Sequence, residues 1–430
     1  MDSLTEALRS TRLSDDPQEL EQLLFTPLEN SGLEANAFNN IPRYLFRVVS
    51  PCSDGETNEK WVRSEAAKQN ISSSVEDIFF SLNREKRITI ARTLNLHLRW
   101  WPKDGLEDNF VSWTSSLLFA IQYIYYRHQS KRDGSSLKEI RLYVIDTTKF
   151  PCGTFIRDLD LIEAFWQFDN HPSGKDLGAL RSLRNDFKHY FGEYLSQGSL
   201  NIANKHQMIP ATSLFAENLL QRLQPQFAGI IGTKSGKQNP DWVKEVLHLR
   251  RSIWTGNKLD RLSSAEMLGR LEALKELADL FQPGWRFPLA IYFASLISSE
   301  SVTEDNETGN DNIFFAWFRL NLLYEERISK PSNCKVIAPD TMPELQRVKE
   351  IVREIQKDSQ LRQALDLVER AEASIRHLHI QNVFSTHGSA FLVVDRNEVL
   401  ARAGQTVLSR LETIHMLSEE IIQAISPEQA

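Results

Sequence analysis

Gly192-Glu193-Tyr194-Leu195-Ser196-Gln197-Gly198 sets one acidic residue into a strand-like run closed by glycine at both ends. The glycines allow sharp backbone turns, and Tyr194 and Leu195 suit an extended chain packed in a sheet. Two earlier runs share that character: Leu45-Phe46-Arg47-Val48-Val49-Ser50 and Phe110-Val111-Ser112-Trp113-Thr114-Ser115-Ser116. In chain order the three runs present an arginine, a serine-rich turn and a glutamate. The fold and the chemistry both turn on whether these runs are neighbours in space.

Around them, strand and helix signals mix from Ile41 to Ala228, predicting an α+β domain over 41–228. Ile140 to Ile145 begins with the alternation of a half-buried strand, and Gln207 to Ile209 reads as a strand following Gly192 to Gln197. Val75 to Leu82 and Arg84 to Leu98 carry mixed helical spacing. Phe110 to Ser116 leads into an aromatic helix, Ser116 to His128, with Phe119, Tyr123, Tyr125 and Tyr126. Leu159 to Phe168 is short and amphipathic. The basic loop Gln129 to Leu137 belongs on the surface. Residues 1–40 read as a polar, variable leader and 229–240 (GIIGTKSGKQNP) as a linker.

Residues 241–430 turn mostly helical. Ser263 with Glu266 and Thr341 with Glu344 offer capping boxes. Leu345, Val348, Val352 and Ile355 mark one helix face, and Leu361, Leu365, Val368, Ile375 and Leu378 extend the pattern. Val407, Leu411, Ile414, Leu417 and Ile421 predict a last helix, with Ala390 to Val394 as a short strand before it. Ser299 to Asp311 carries five acidic residues and no basic one, as an exposed loop does.

Composition narrows the class. The chain has 430 residues, 41% hydrophobic and 25% charged, the balance of a globular protein of two or three domains. A net charge of -7 argues against general nucleic-acid binding. Cys52, Cys152 and Cys334 are far apart and odd in number, which suits a reducing compartment and gives no zinc site. Met1 to Glu6 has no signal-peptide pattern. The apolar runs Phe287 to Ile297 and Ile313 to Tyr324 are too short to span a bilayer. These features predict an intracellular protein, cytoplasmic or nuclear, that does not enter the membrane.

The ordered arginine, serines and glutamate suit a site acting on the nicotinamide-ribose bond of NAD. A guanidinium binds two oxygens of a pyrophosphate or ribose at once. A hydroxyl-bearing strand end holds the nicotinamide side, and aromatic faces accept the ring. A carboxylate beside the ribose stabilises the oxocarbenium character that develops as the bond breaks.

This set resembles the ADP-ribosyltransferase fold, whose signature is written R-S-E. Arg47 in LFRVVS resembles its first-strand arginine, and Ser112, Thr114 and Ser115 in VSWTSS resemble its serine-threonine-serine strand. The following helix, with Ala120 and Tyr123, fits the family pattern, and Glu193 in FGEYLSQG resembles the catalytic glutamate. IPRYLFRV, VSWTSSLLFAIQYI, GTFIRDLDLI and FGEYLSQGSL together resemble an uncharacterised domain family of filamentous fungi, over Ile41 to about Ala211. The resemblance implies an ADP-ribosyltransferase-like split sheet. It also implies NAD as substrate with no metal, Glu193 as catalytic residue, and Arg47, Ser112, Thr114, Ser115 and Tyr123 as NAD contacts. Phe191 departs from the pattern, because toxins of this fold commonly carry Glu or Gln two residues before the catalytic glutamate, where it selects the acceptor. The tryptophan inside VSWTSS departs as well.

Other readings stand beside this one. Arg47 also suits a strand-end salt bridge, Ser112 to Ser116 a helix cap, Glu193 an exposed strand residue, and Tyr123 with Tyr126 a core face. A non-catalytic interaction protein on a degenerate scaffold is the alternative function, with the C-terminal helices binding a protein partner. Arg184-Asn185-Asp186-Phe187-Lys188-His189 matches the R-N-x-x-x-H pattern of HEPN-type ribonucleases, a third reading. Gly232 to Lys237 lacks the spacing of a phosphate loop. His377, His379 and His387 have no Cys or Asp beside them to complete a metal set and read as structural.

Overall fold

A computed structural model describes residues 22–28, 31–34, 36–103, 105, 107–169, 174–185, 189–228, 242–255, 262–297, 314, 317–318, 341–380 and 398–425. The expected leader to residue 21, linker, acidic loop and 390–394 strand therefore lie outside the described residues.

The strands form an antiparallel sheet with a helical region C-terminal to it. In chain order they are β1 (Tyr44–Val49), β2 (Glu56–Thr57), β3 (Trp61–Arg63), β4 (Phe110–Thr114), β5 (Arg141–Asp146), β6 (Ile156–Arg157), β7 (Glu193–Gln197), β8 (Ser199–Asn201) and β9 (His206–Pro210). The larger sheet runs β6-β7-β4-β1-β5-β9, and a small one runs β2-β3-β8. The three decisive runs are thus adjacent, β7 beside β4 beside β1. Both faces of β1 are covered: Tyr44, Phe46 and Val48 enter one apolar cluster, and Leu45 enters another with Trp113, Tyr143 and Tyr194.

Helices α1 (Glu65–Lys68), α2 (Arg84–Leu98), α3 (Leu117–Gln129), α4 (Asp158–Phe165) and α5 (Leu177–Asn185) accompany the sheet. Asn83 caps α2 by accepting from Lys86 N, and Ser116 caps α3 by accepting from Phe119 N at 3.1 Å. Phe110 and Leu195 pack on α2, α4 and α5, whereas Phe46 and Val48 pack on α3. One side of the sheet therefore carries two apolar cores, one over β4 and β7 and one over β1 and β5.

Val75 to Leu82 is not a helix. Ser72–Val75 makes a 3-10 turn and the chain then folds back in turns. Asp77 is the reason: its carboxylate is held by long-range bonds from Thr26 N at 2.8 Å and Gln197 Nε2 at 2.8 Å, and accepts from Phe79 N at 3.3 Å, a local bond that competes with helix geometry.

Further helices are α6 (Ala211–Leu214), α7 (Leu219–Leu223), α8 (Trp242–Arg250), α9 (Ser264–Asp279), α10 (Arg286–Ala294), α11 (Pro343–Ile380) and α12 (Glu398–Ile425). The Ser263–Glu266 capping box starts α9. Leu271, Leu274 and Leu277 of α9, most of α10, and Leu345, Val348, Val352 and Ile355 of α11 join the core of Phe46 and α3. Burying each such side chain stabilises the fold by about 1.5–3 kcal/mol. The chain divides into two compact units, one to Gln356 and one from Lys357. In the second unit Leu365, Val368, Ile375, Leu411, Ile414 and Leu417 are exposed. No helix among the described residues is long and apolar enough to cross a membrane.

Candidate functional site

The pairing of the sheet is shortest between β1 and β4. Strands β4 and β7 pair in register from Phe110↔Gln197 to Thr114↔Glu193, and β1 pairs with β5 along its whole length. Between β1 and β4 the only register pair is Phe46↔Thr114. The strands part on the Arg47 side, and a cavity of about 300 Å³ opens there, lined by consecutive residues of both strands. That volume lies at the lower end of small-molecule sites.

Arg47, Ser112, Thr114, Tyr123 and Glu193 all line this cavity. Alternation puts Arg47 on the sheet face opposite Ser112 and Glu193, since Phe46 shares a face with Thr114 and hence with Glu193. The splay removes that separation. The Arg47 guanidinium lies between the strands, donating from Nη1 to the Ser112 carbonyl at 2.9 Å and from Nε to Thr57 Oγ1 at 3.3 Å. It forms no ion pair with a carboxylate among the described residues. Burial pulls its pKa down to about 10, with nearby Arg127 adding to the shift.

Glu193 sits where β7 begins, one residue after Gly192 with φ +67. Its Oε1 accepts from Ser112 Oγ at 2.6 Å and its Oε2 from Arg184 Nη2 at 2.7 Å. Its side chain is 13% exposed, so the carboxylate reaches the cavity. Arg184 of α5 also pairs with Asp158 at the start of α4. Burial drives the Asp158 carboxyl up to about 7, against the pull of Arg184 and with the push of Glu193. Burial opposes the Arg184 charge, but the two carboxylates outweigh it and hold its pKa above the ordinary value. Arg184 of the R-N-x-x-x-H string is thus bound to Glu193, and residues 186–188 of that string lie outside the described residues.

Thr114 accepts from Ser116 N at 3.0 Å and donates to the Phe191 carbonyl at 2.7 Å, tying β4 to the turn before Glu193. Ser115 does not line the cavity. It is fully buried, with its backbone N donating to the Gly192 carbonyl at 2.8 Å. Glu344 makes no capping box with Thr341; it accepts from Ser116 Oγ at 2.6 Å and pairs with Arg250 at 2.6 Å. Arg250 in turn donates to the Tyr190 carbonyl at 2.9 Å.

One wall is aromatic. Phe191 stacks on Phe119 at 5.3 Å, Phe119 on Tyr123 at 5.7 Å and Tyr123 on Tyr126 at 5.9 Å. Trp100 packs against Tyr123 at 4.9 Å with φ +56, a left-handed conformation that a bulky side chain rarely adopts. Burial raises the pKa of the Tyr123 phenol, which accepts from Arg127 Nη1 at 3.1 Å.

Two residues absent from the sequence reading complete the site. His97, in the last turn of α2, places Nε2 2.7 Å from Ser112 Oγ and Nδ1 2.8 Å from Asp108 Oδ2. Burial raises the Asp108 carboxyl, but His97 and Lys103 outweigh it and hold the group below the usual carboxylate range. Nothing local marks His97. A histidine near a helix end is ordinary, and only the docking of α2 against β4 brings it to Ser112.

The fold and site define a mixed α/β protein with an antiparallel sheet domain, a cavity lined by β1 and β4 and a helical C-terminal region. Within the chain, residues 40–200 match the model of a domain of unknown function, DUF7587, which spans β1 to β7 and every cavity residue discussed above. No curated protein matches the chain. No solved structure matches it either.

Proposed function

We propose that the protein is an NAD-using enzyme, an NAD glycohydrolase or ADP-ribosyltransferase on an ADP-ribosyltransferase-like split sheet. The observation that carries the reading is the convergence of Arg47, Ser112 and Glu193 on one cavity at the strand split. Arg47 is a partly desolvated cation with N–H groups left over after Ser112 and Thr57, and a pyrophosphate satisfies it. Tyr123 and the aromatic wall offer faces for the nicotinamide ring. Thr114 shapes the cavity floor, and Ser115 acts from behind by holding the Gly192 turn.

Glu193 lies beside the ribose in this reading. As the C1′–N bond breaks, its electron pair leaves with nicotinamide and positive charge grows on the ribose, which the carboxylate stabilises. Ser112 and Arg184 fix that carboxylate before substrate arrives, so little reorganisation is needed in the transition state. Phe191 supports water or a small alcohol over a protein arginine as acceptor, because the residue two before Glu193 is apolar and packed on Phe119. The test is nicotinamide release from NAD by wild type and by Glu193→Gln. A loss of about 100-fold or more is expected in the variant; equal rates defeat the reading.

One observation favours a second reading, a non-catalytic NAD-binding or interaction scaffold. Both Glu193 oxygens already have protein partners, which suits a carboxylate kept for structure. Calorimetry separates the two: NAD binding without nicotinamide release, lost in Arg47→Ala, selects the scaffold, and release selects the enzyme.

A further inference from the structure

We propose that Asp108, His97 and Ser112 form a proton relay behind Glu193, and that the acceptor served by this site is an O–H group, water or an alcohol. The inference rests on the NAD-cleaving reading for its chemistry and on hydrogen-bond geometry for its existence.

Ser112 has one hydroxyl hydrogen, yet its Oγ lies 2.6 Å from Glu193 Oε1 and 2.7 Å from His97 Nε2. With Nδ1–H donated to Asp108, a neutral His97 presents Nε2 only as an acceptor. Ser112 then satisfies either His97 or Glu193, and the other contact sets two lone pairs against each other. One added proton completes every bond. His97 donates from Nδ1 to Asp108 and from Nε2 to Ser112, and Ser112 donates to Glu193. The chain is built to take up a proton at its Glu193 end and hold it at its His97 end.

Transfer to an O–H acceptor releases such a proton. The acceptor oxygen bonds to C1′, nicotinamide leaves neutral with the C1′–N electron pair, and the acceptor hydrogen passes to Glu193. The Ser112 hydroxyl turns its hydrogen from Glu193 to His97 Nε2, and Glu193 then hands its new proton to Ser112 Oγ as that hydrogen moves to Nε2. The carboxylate is restored and the imidazolium stands against Asp108 until the proton leaves to solvent. Atoms and charge balance: NAD⁺ and ROH give the ADP-ribosyl O-glycoside, or ADP-ribose when R is hydrogen, with nicotinamide and H⁺. His97 and Asp108 act through Ser112 and are positioning residues.

The charged groups bonded along this chain fit the role. Asp108 meets Nδ1, and Lys103 lies 3.2 Å from the same carboxylate and 2.7 Å from Asp54. Through Ser112 stands Glu193, whose second oxygen is held by Arg184. The Phe110 ring meets the imidazole at 5.7 Å and adds no charge.

Two measurements on the full chain test the relay. The first is the pH profile of NAD hydrolysis for wild type, His97→Gln and Asp108→Asn. Wild-type kcat is expected to rise with pH through one ionisation. In His97→Gln, kcat is expected to fall about 10–100-fold with KM within about twofold, and the pH-dependent limb to vanish. An unchanged kcat and limb in His97→Gln overturn the relay. The second is the side-chain nitrogen spectrum of His97 across pH, in wild type and Ser112→Ala. The relay expects a protonated Nδ1 on the neutral ring and an Nε2 resonance that moves in Ser112→Ala; an unmoved resonance overturns it even in a protein inert to NAD. Wild type that leaves NAD intact while His97 responds to Ser112→Ala defeats the NAD reading alone and leaves the hydrogen-bond chain standing.

Discussion

Ser112 and Glu193 meet diagonally across paired strands. Glu193 lies in register with Thr114, and Ser112 with Leu195, yet Ser112 Oγ donates to Glu193 Oε1 at 2.6 Å. Diagonal neighbours on one sheet face are within reach of long side chains, and Glu193 is long enough to lean toward Ser112. This lean brings the carboxylate away from the strand end and into the cavity where β1 and β4 part.

Arg47 spans that opening, so its removal should weaken binding more than folding. Arg47→Ala is expected to raise the Kd for NAD about tenfold or more, roughly 1.4 kcal/mol, by calorimetry. Arg47→Lys should not restore binding, because one ammonium cannot serve Thr57, the Ser112 carbonyl and a ligand in the planar geometry of a guanidinium.

Asp158 gives the stability a defined pH dependence. Its folded pKa stands at about 7, above its ordinary value of 3.8. A raised folded pKa means that the folded state holds the proton more tightly than the unfolded chain does. The associated stability is complete below the ordinary value and is lost as pH rises through about 7. Denaturant titrations from pH 5 to pH 8 should show wild type losing stability relative to Asp158→Asn, by on the order of a few kcal/mol. A constant difference between the two proteins across that range would contradict the assignment.

Gly192 has both a left-handed backbone and no room for a side chain. A Cβ there would overlap the Ser115 hydroxyl and lie 2.6 Å from Met342 Cε. Gly192→Ala should lower stability by about 1–3 kcal/mol in chemical denaturation. It should also reduce any NAD cleavage, because the turn it distorts aims Glu193.

Glu344 ties the start of α11 to the site. It accepts from Ser116 Oγ and pairs with Arg250, all within the buried interior. Glu344→Ala leaves Arg250 buried without its carboxylate and should destabilise the fold by about 3–5 kcal/mol. A variant as stable as wild type by thermal unfolding would show that Arg250 finds another partner.

Much of the local structure was legible in the chain. Tyr44–Val49, Phe110–Thr114 and Glu193–Gln197 are the strands that three short runs announced, and Ser116 caps the aromatic helix as its place before an apolar run requires. Local rules suffice there because β-branched and aromatic residues, glycine turns and a capping hydroxyl act over a few residues. Local spacing misled at Val75 to Leu82, where Asp77 bonds to Thr26 and Gln197 far along the chain.

The sequence by itself determined part of the cavity lining: an arginine, hydroxyls, an aromatic helix and a glutamate, on runs destined to be strands apart from the helix. Only the tertiary structure decided how they meet. Strand alternation sends Arg47 and Glu193 to opposite faces, and it is the parting of β1 from β4 beyond Phe46 and Thr114 that brings both to one cavity. The same holds for His97 and Arg184, which reach Ser112 and Glu193 through the docking of α2 and α5 on the sheet. A register and a splay are properties of paired strands, set by packing on both sides, and no single segment encodes them.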